Sequence, residues 1–155
     1  MRSSIIAKWC LNHRRVLLCI TYFLTAASVA PAADLGPTDA AVRIAQTMKL
    51  QFDQAGMPLE VDPVTVEGAH AIAGWTRGDT GGRALLQRVG GDWEIVLCAG
   101  DALLRANTLI AAGLAPAAAA RLLTGVRRAE ASLSSARREK LSRFATIVRV
   151  RQAHP

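Results

Sequence analysis

The first 33 residues constrain this chain more than any other stretch, because they decide how much of it is left to fold. A basic opening (Arg2, Lys8, Arg14 and Arg15) leads into an apolar run from Val16 to Leu24, then into small residues ending in Ala30-Pro31-Ala32-Ala33. That is the order of a bacterial-type secretory signal peptide. The apolar run is shorter than the roughly 20 residues a membrane-spanning helix needs, so no stable membrane span is expected once the leader is cut. Ala30 and Ala32 put small residues at both positions that a signal peptidase inspects, which places the cut after Ala32. The expectation is a signal peptide over 1–32 and a single α+β domain over 33–155, working in the periplasm.

A remainder of about 120 residues is the size of one domain and too small for two. Cleavage removes Cys10 and Cys19 and leaves Cys98 as the sole cysteine, so no internal disulfide can form. Cys19 does not fit lipid attachment, because Leu17 and Leu18 precede it where small residues are needed. The net charge of +7 is unevenly placed: residues 33–104 carry 5 basic and 10 acidic side chains, residues 105–155 carry 10 basic and 2 acidic. A basic half attracts anionic lipid, nucleic acid or an acidic partner in principle. These cations lie along helices with few aromatics between them, unlike a surface that stacks on bases, so no nucleic-acid partner is expected.

The pattern beyond the leader is α+β. Ala41, Ala45, Met48 and Phe52 recur at helical spacing behind Thr38, a capping residue, which predicts an amphipathic helix over 38–54, stopped by Gly56-Met57-Pro58. Four strand-like segments follow, 61–67, 70–77, 83–89 and 92–98, with turn residues between them, as in an antiparallel meander. Pro63 lacks a backbone donor and assigns the first strand to an edge. Gly90-Gly91 suits a tight hairpin between the third and fourth strands. Asp101 is positioned to cap a helix through Ala112, and Pro116 opens another with Leu122, Val126, Ala129 and Leu133 as its stripe. Alternation of Val148 and Val150 with Arg149 and Arg151 marks a last short strand. The expected fold is an antiparallel sheet of four to five strands, with an N-terminal helix and two to three C-terminal helices packed mainly on one face.

Three features invite a chemical interpretation. Gly78-Asp79-Thr80-Gly81-Gly82 resembles the nucleophile segment of trypsin-like serine proteases, but that mechanism needs a histidine base oriented by an acid. His70 is the sole upstream histidine of the mature chain, and one short domain cannot hold two barrels. A glycine-rich turn is the expectation there, with no histidine serving Thr80. Strict alternation would put Trp93, Ile95 and Leu97 on one face of the fourth strand and Glu94, Val96 and Cys98 on the other. Cys98, at the strand end, is either a small core residue or a soft Cu(I) donor, for which Met57, His70 or His154 would be the helpers. None of these is paired at ligand spacing.

Taken together, His70-Ala-Ile-Ala-Gly-Trp75-Thr-Arg-Gly-Asp79-Thr-Gly-Gly-Arg83-Ala-Leu-Leu, then Trp93-Glu-Ile-Val-Leu-Cys98-Ala-Gly-Asp101, and late Phe144-Ala-Thr-Ile-Val-Arg149, resemble small secreted bacterial proteins of the copper uptake system-associated family. The resemblance covers most of residues 38–150. It implies a periplasmic, non-enzymatic accessory to copper uptake or handling, acting by weak copper binding at Cys98, His70 and Met57 or by docking to a copper chaperone or membrane copper transporter. It carries over no ligand set or reaction. The other expectation is a small-ligand or envelope-protein binding module unrelated to copper. No convergent set of catalytic groups is visible, so no enzyme is expected.

Overall fold

Residues 36–150 are described by the computed structural model, Pro37 through its backbone alone. The expected leader with Cys10 and Cys19, its cleavage site, and terminal His154 lie outside the described residues. Helix α1 (Pro37–Phe52) precedes four strands, β1 (Glu60–Glu67), β2 (His70–Arg77), β3 (Thr80–Val89) and β4 (Asp92–Ala99). A short 3-10 turn (Asp101–Leu104), helices α2 (Ala106–Ala111), α3 (Pro116–Ala131) and α4 (Ser135–Ser142), and the two-residue strand β5 (Val148–Arg149) complete the order. The fold is α+β, built on one antiparallel sheet in the order β1-β2-β3-β4-β5.

Local chemistry accounts for most boundaries. Helix α1 opens at Pro37, whose missing N–H is no loss in a first turn, with Gly36 at the cap position; Thr38 lies inside the helix and makes no cap. Its buried stripe is Ala40, Ile44 and Met48, one residue round from the expected one. The Asp53 carboxylate accepts a 2.8 Å hydrogen bond from the Leu59 N–H and closes the loop into β1. Pro63 sits in edge strand β1 after a cis Asp62–Pro63 bond, where the register breaks between Val61 and Val64. Gly90 and Gly91 have φ of 60° and 100° and join Val89 to Asp92, its partner across the hairpin; such angles suit glycine alone.

Two departures from the sequence pattern matter for the site. Asp101 caps no long helix: the chain makes a 3-10 turn, and α2 begins separately at Ala106. Its carboxylate instead accepts from Arg83 and Ser142 at 3.1 and 2.7 Å. In β4 the register shifts, Leu86 facing Ile95 and Leu85 facing Leu97, so that Val96 is an extra, bulged residue. A bulge inverts the alternation beyond it. Cys98 therefore shares a face with Trp93 and Ile95, and Leu97 points to the opposite one. Both Trp93 and Leu97 are buried, as expected, but in different cores.

One core lies between the sheet and α1, holding Ile44, Met48, Ala71, Ala84, Leu86, Trp93, Ile95 and Cys98. The other lies between the opposite face and α2 and α3, holding Ile72, Leu85, Leu97, Leu109, Leu122 and Val126. The C-terminal helices thus cover one face, and α1 covers the other. After α4 the chain crosses from the second face to the first, past three glycines. A Cβ on Gly81 would stand 2.9 Å from the Lys140 carbonyl oxygen, one on Gly82 2.9 Å from the Phe144 Cβ, and one on Gly100 2.8 Å from the Ser142 and Phe144 oxygens. Only hydrogen at these positions lets the crossing lie so close, and the Gly100 N–H donates to the Phe144 carbonyl at 2.7 Å. The Gly78–Gly82 motif thus serves a turn and a tight crossing. Thr80 donates its hydroxyl hydrogen to the Arg77 carbonyl at 2.9 Å.

Candidate functional site

The bulge at Val96 sets Cys98 beneath α1, where the crossing segment builds a second wall. Between them lies a cavity of about 190 Å3. Helix α1 contributes Met48 and Phe52, β2 contributes Trp75 and Arg77, and the returning chain contributes Phe144, Val148 and Val150; Leu59 and Cys98 complete the lining. The Trp75 and Phe144 rings meet edge to face, centroids 5.6 Å apart at 72°, an arrangement that aromatic quadrupoles favour. Gly82 makes the corner possible, since a Cβ there would lie 3.0 Å from the Trp75 ring.

Two lining groups carry chemistry. Cys98 is buried, and burial pushes its thiol up to about 11; it is a protonated, unreactive thiol at neutral pH. Arg77 donates from Nη1 to the Phe52 carbonyl at 3.1 Å. That bond ties β2 to the last turn of α1, where the helix carbonyls lack partners and a cation is favourable.

The expected copper donors are not brought together. Met57 lies in the loop before β1, about half exposed, its sulfur over Gly78 and facing a separate polar cleft lined also by Glu60, Arg137 and Lys140. His70 begins β2 at the other end of the sheet, and alternation puts it on the face of Ile72, away from Cys98. Ala73 and Ala84 are level with Cys98, so His70 is three residues along and two strands across, about 14 Å away. Partial burial holds its imidazole below the ordinary pKa. Among the described residues no group of three or more His, Cys, Asp or Glu side chains is arranged to hold a metal ion. The sulfur that does share the cavity with Cys98 is Met48, which from sequence alone is only one member of a helical stripe.

A second polar feature lies on the opposite face. Arg83, fully buried in β3, donates from Nε and Nη2 to the two carboxylate oxygens of Glu130 on α3 at 2.6 and 2.8 Å. Its Nη1 donates to Asp101 at 3.1 Å and to the Leu141 carbonyl at 3.2 Å. Burial works against the charged guanidinium, and the paired carboxylates of Glu130 and Asp101 more than offset it, so its pKa is raised. The group joins β3, α3 and α4, and no cavity opens onto it among those found. The uneven charge is likewise used within the domain: Arg121 pairs with Glu67, Arg137 with Glu60 and Lys140 with Asp79. Each is a pair between the basic C-terminal half and the acidic N-terminal half.

No family model matches the chain, and no curated protein or solved structure matches it either. Among the described residues no helix is long and apolar enough to cross a membrane.

Proposed function

We propose that the mature domain is a non-enzymatic periplasmic binding module whose site is the cavity beside Cys98, taking a small apolar guest. The supporting observation is the cavity itself, about 190 Å3 bounded by Met48, Phe52, Leu59, Trp75, Phe144 and valine side chains. Packed interiors leave few voids larger than a water molecule, and an apolar void of about 150 Å3 stays dry and accepts benzene. The protonated Cys98 thiol offers neither a nucleophile nor a base. Titration of the mature protein with benzyl alcohol, followed by backbone amide shifts, tests this. Shifts at Met48, Trp75, Cys98 and Phe144 that vanish in a Val150→Phe variant, which fills the space, are the expected result; a saturating titration with no shifts there refutes it.

The second reading is a copper accessory, as the family resemblance implies, and one observation favours it: thiol and thioether side chains, Cys98 and Met48, line the same cavity. Cu(I) suits such soft donors, but it must displace the proton of a thiol that burial holds near 11, so binding would weaken steeply as pH falls. Anaerobic competition with a Cu(I) chelator decides it. Loss of competition in both folded Cys98→Ser and Met48→Leu supports metal binding. Unchanged competition leaves docking to a copper chaperone or membrane transporter as the copper role, to be sought by pull-down without metal.

A further inference from the structure

We infer that the guest of the Cys98 cavity is a compact apolar monocarboxylate, its head group held by Arg77. The inference rests on the cavity being a ligand site and adds what kind of ligand it takes. Arg77 is the one charged side chain in the lining. Its guanidinium is half-buried, bonded through Nη1 to the Phe52 carbonyl, and among the described residues it has no carboxylate partner. Arg83, Arg121, Arg137 and Arg143, by contrast, each hold one. A cation withdrawn from water gains from an anion beside it, and a planar fork of five donors matches a carboxylate with two parallel bonds. The bond to the end of α1 orients that fork without neutralising it.

The rest of the wall sets the remainder of the ligand. Phe52, Trp75 and Phe144 present aromatic surface, and Met48 and the valines present aliphatic surface. A second charge on the guest would be buried among them with no counter-ion, a cost far larger than one hydrogen bond returns. A single carboxylate on a body no larger than one aromatic ring or a short branched chain satisfies both charge and volume. Cys98 raises no obstacle, because its thiol is neutral and does not repel the anion.

Benzoate and benzyl alcohol differ chiefly at the head group, so calorimetric titration of the mature protein with each separates the two claims. Benzoate is expected to bind about 10-fold or more tighter than the alcohol, as a charge-assisted pair of bonds is worth about 1.5–3 kcal/mol. Arg77→Gln is expected to lose that advantage and keep its affinity for the alcohol, and Arg77→Lys to keep part of it. Should the alcohol bind as tightly as benzoate, or Arg77→Gln bind benzoate like the parent, the head-group inference fails and the cavity stands as an apolar site. If neither probe binds, the ligand site itself fails. The comparison of probes on the unaltered protein decides between these even where Arg77→Gln does not fold.

Discussion

Glu130→Ala should be among the most damaging single changes in this domain, although Glu130 lies far from the cavity. It removes the carboxylate that takes both parallel bonds from Arg83, at 2.6 and 2.8 Å, and leaves that buried cation with the Leu141 carbonyl and with Asp101. The Asp101 side chain is 59% exposed, so its attraction is screened and worth about 1 kcal/mol at most. Breaking a buried pair by removing one partner costs about 3–5 kcal/mol, a large share of the about 5–15 kcal/mol by which domains are stable. At urea slopes of about 1–3 kcal/mol per molar, the unfolding midpoint should fall by about 1–4 M. Removing both charges in Arg83→Met with Glu130→Leu should recover most of this, since apolar replacement of a buried pair is often neutral or stabilising. A loss under about 1 kcal/mol in Glu130→Ala, or a double variant no better than the single, would refute the claim that an unpaired buried charge is the cause.

Cys98 should resist alkylation: raising its pKa from 9.0 to about 11 lowers the thiolate fraction at pH 8 about 100-fold. The rate in native protein should rise to the ordinary value only in denaturant. The same shift makes stability fall as pH rises from about 9 to 11, because the unfolded chain releases the Cys98 proton first and so binds fewer protons there; urea titrations of Cys98→Ala should lack that fall. Gly100→Ala should cost about 1–3 kcal/mol by forcing the crossing segment off the sheet, read by thermal melting, and a variant as stable as the parent would contradict the close approach. Deleting Val96 should leave Cys98 as protected as before, because it removes the bulge and restores regular alternation with Leu97 and Cys98 on their present faces; a reactive Cys98 in that variant would disprove the assignment. Intact-mass measurement of exported protein should find a chain beginning near Ala33, and a full-length cytoplasmic form alone would overturn the periplasmic proposal.

The sheet was legible because its turns are written in residue types that few other backbone geometries accept. Gly90-Gly91 and Gly78-Asp79 mark two hairpins, Pro63 marks an edge, and period-two alternation holds through β2 and most of β3. Helix α3 was legible from Pro116 onward, but its stripe was read as wholly apolar. Glu130 belongs to the buried side because a buried arginine waits for it on β3, and a charged residue at a stripe position signals nothing without its partner. The partner is 47 residues away, beyond any local pattern. Charge segregation was visible too; its use within one domain, acids of the first half against bases of the second, was not, since composition gives sign without distance.

The cavity was hidden for a related reason, which also explains how a plain meander makes one. A sheet with unbroken alternation in β4 would send Cys98 toward α2 and α3 and leave its end of the other face to Val96. One extra residue exchanges them, putting a small side chain under the end of α1 where a large one would fill the space. The crossing segment then roofs that space with Phe144 because Gly81, Gly82 and Gly100 let it lie against the strands, and β5 fixes its far end on Leu97 and Cys98. Arg77 enters the same space because the β2–β3 turn directly follows it and α1 ends beside it. Each step is local, yet no one of them signals a site. The space exists only where a bulge, three glycines and a helix end coincide, and that coincidence is why binding is sought at Cys98 rather than at the more conspicuous Gly-Asp-Thr-Gly-Gly turn.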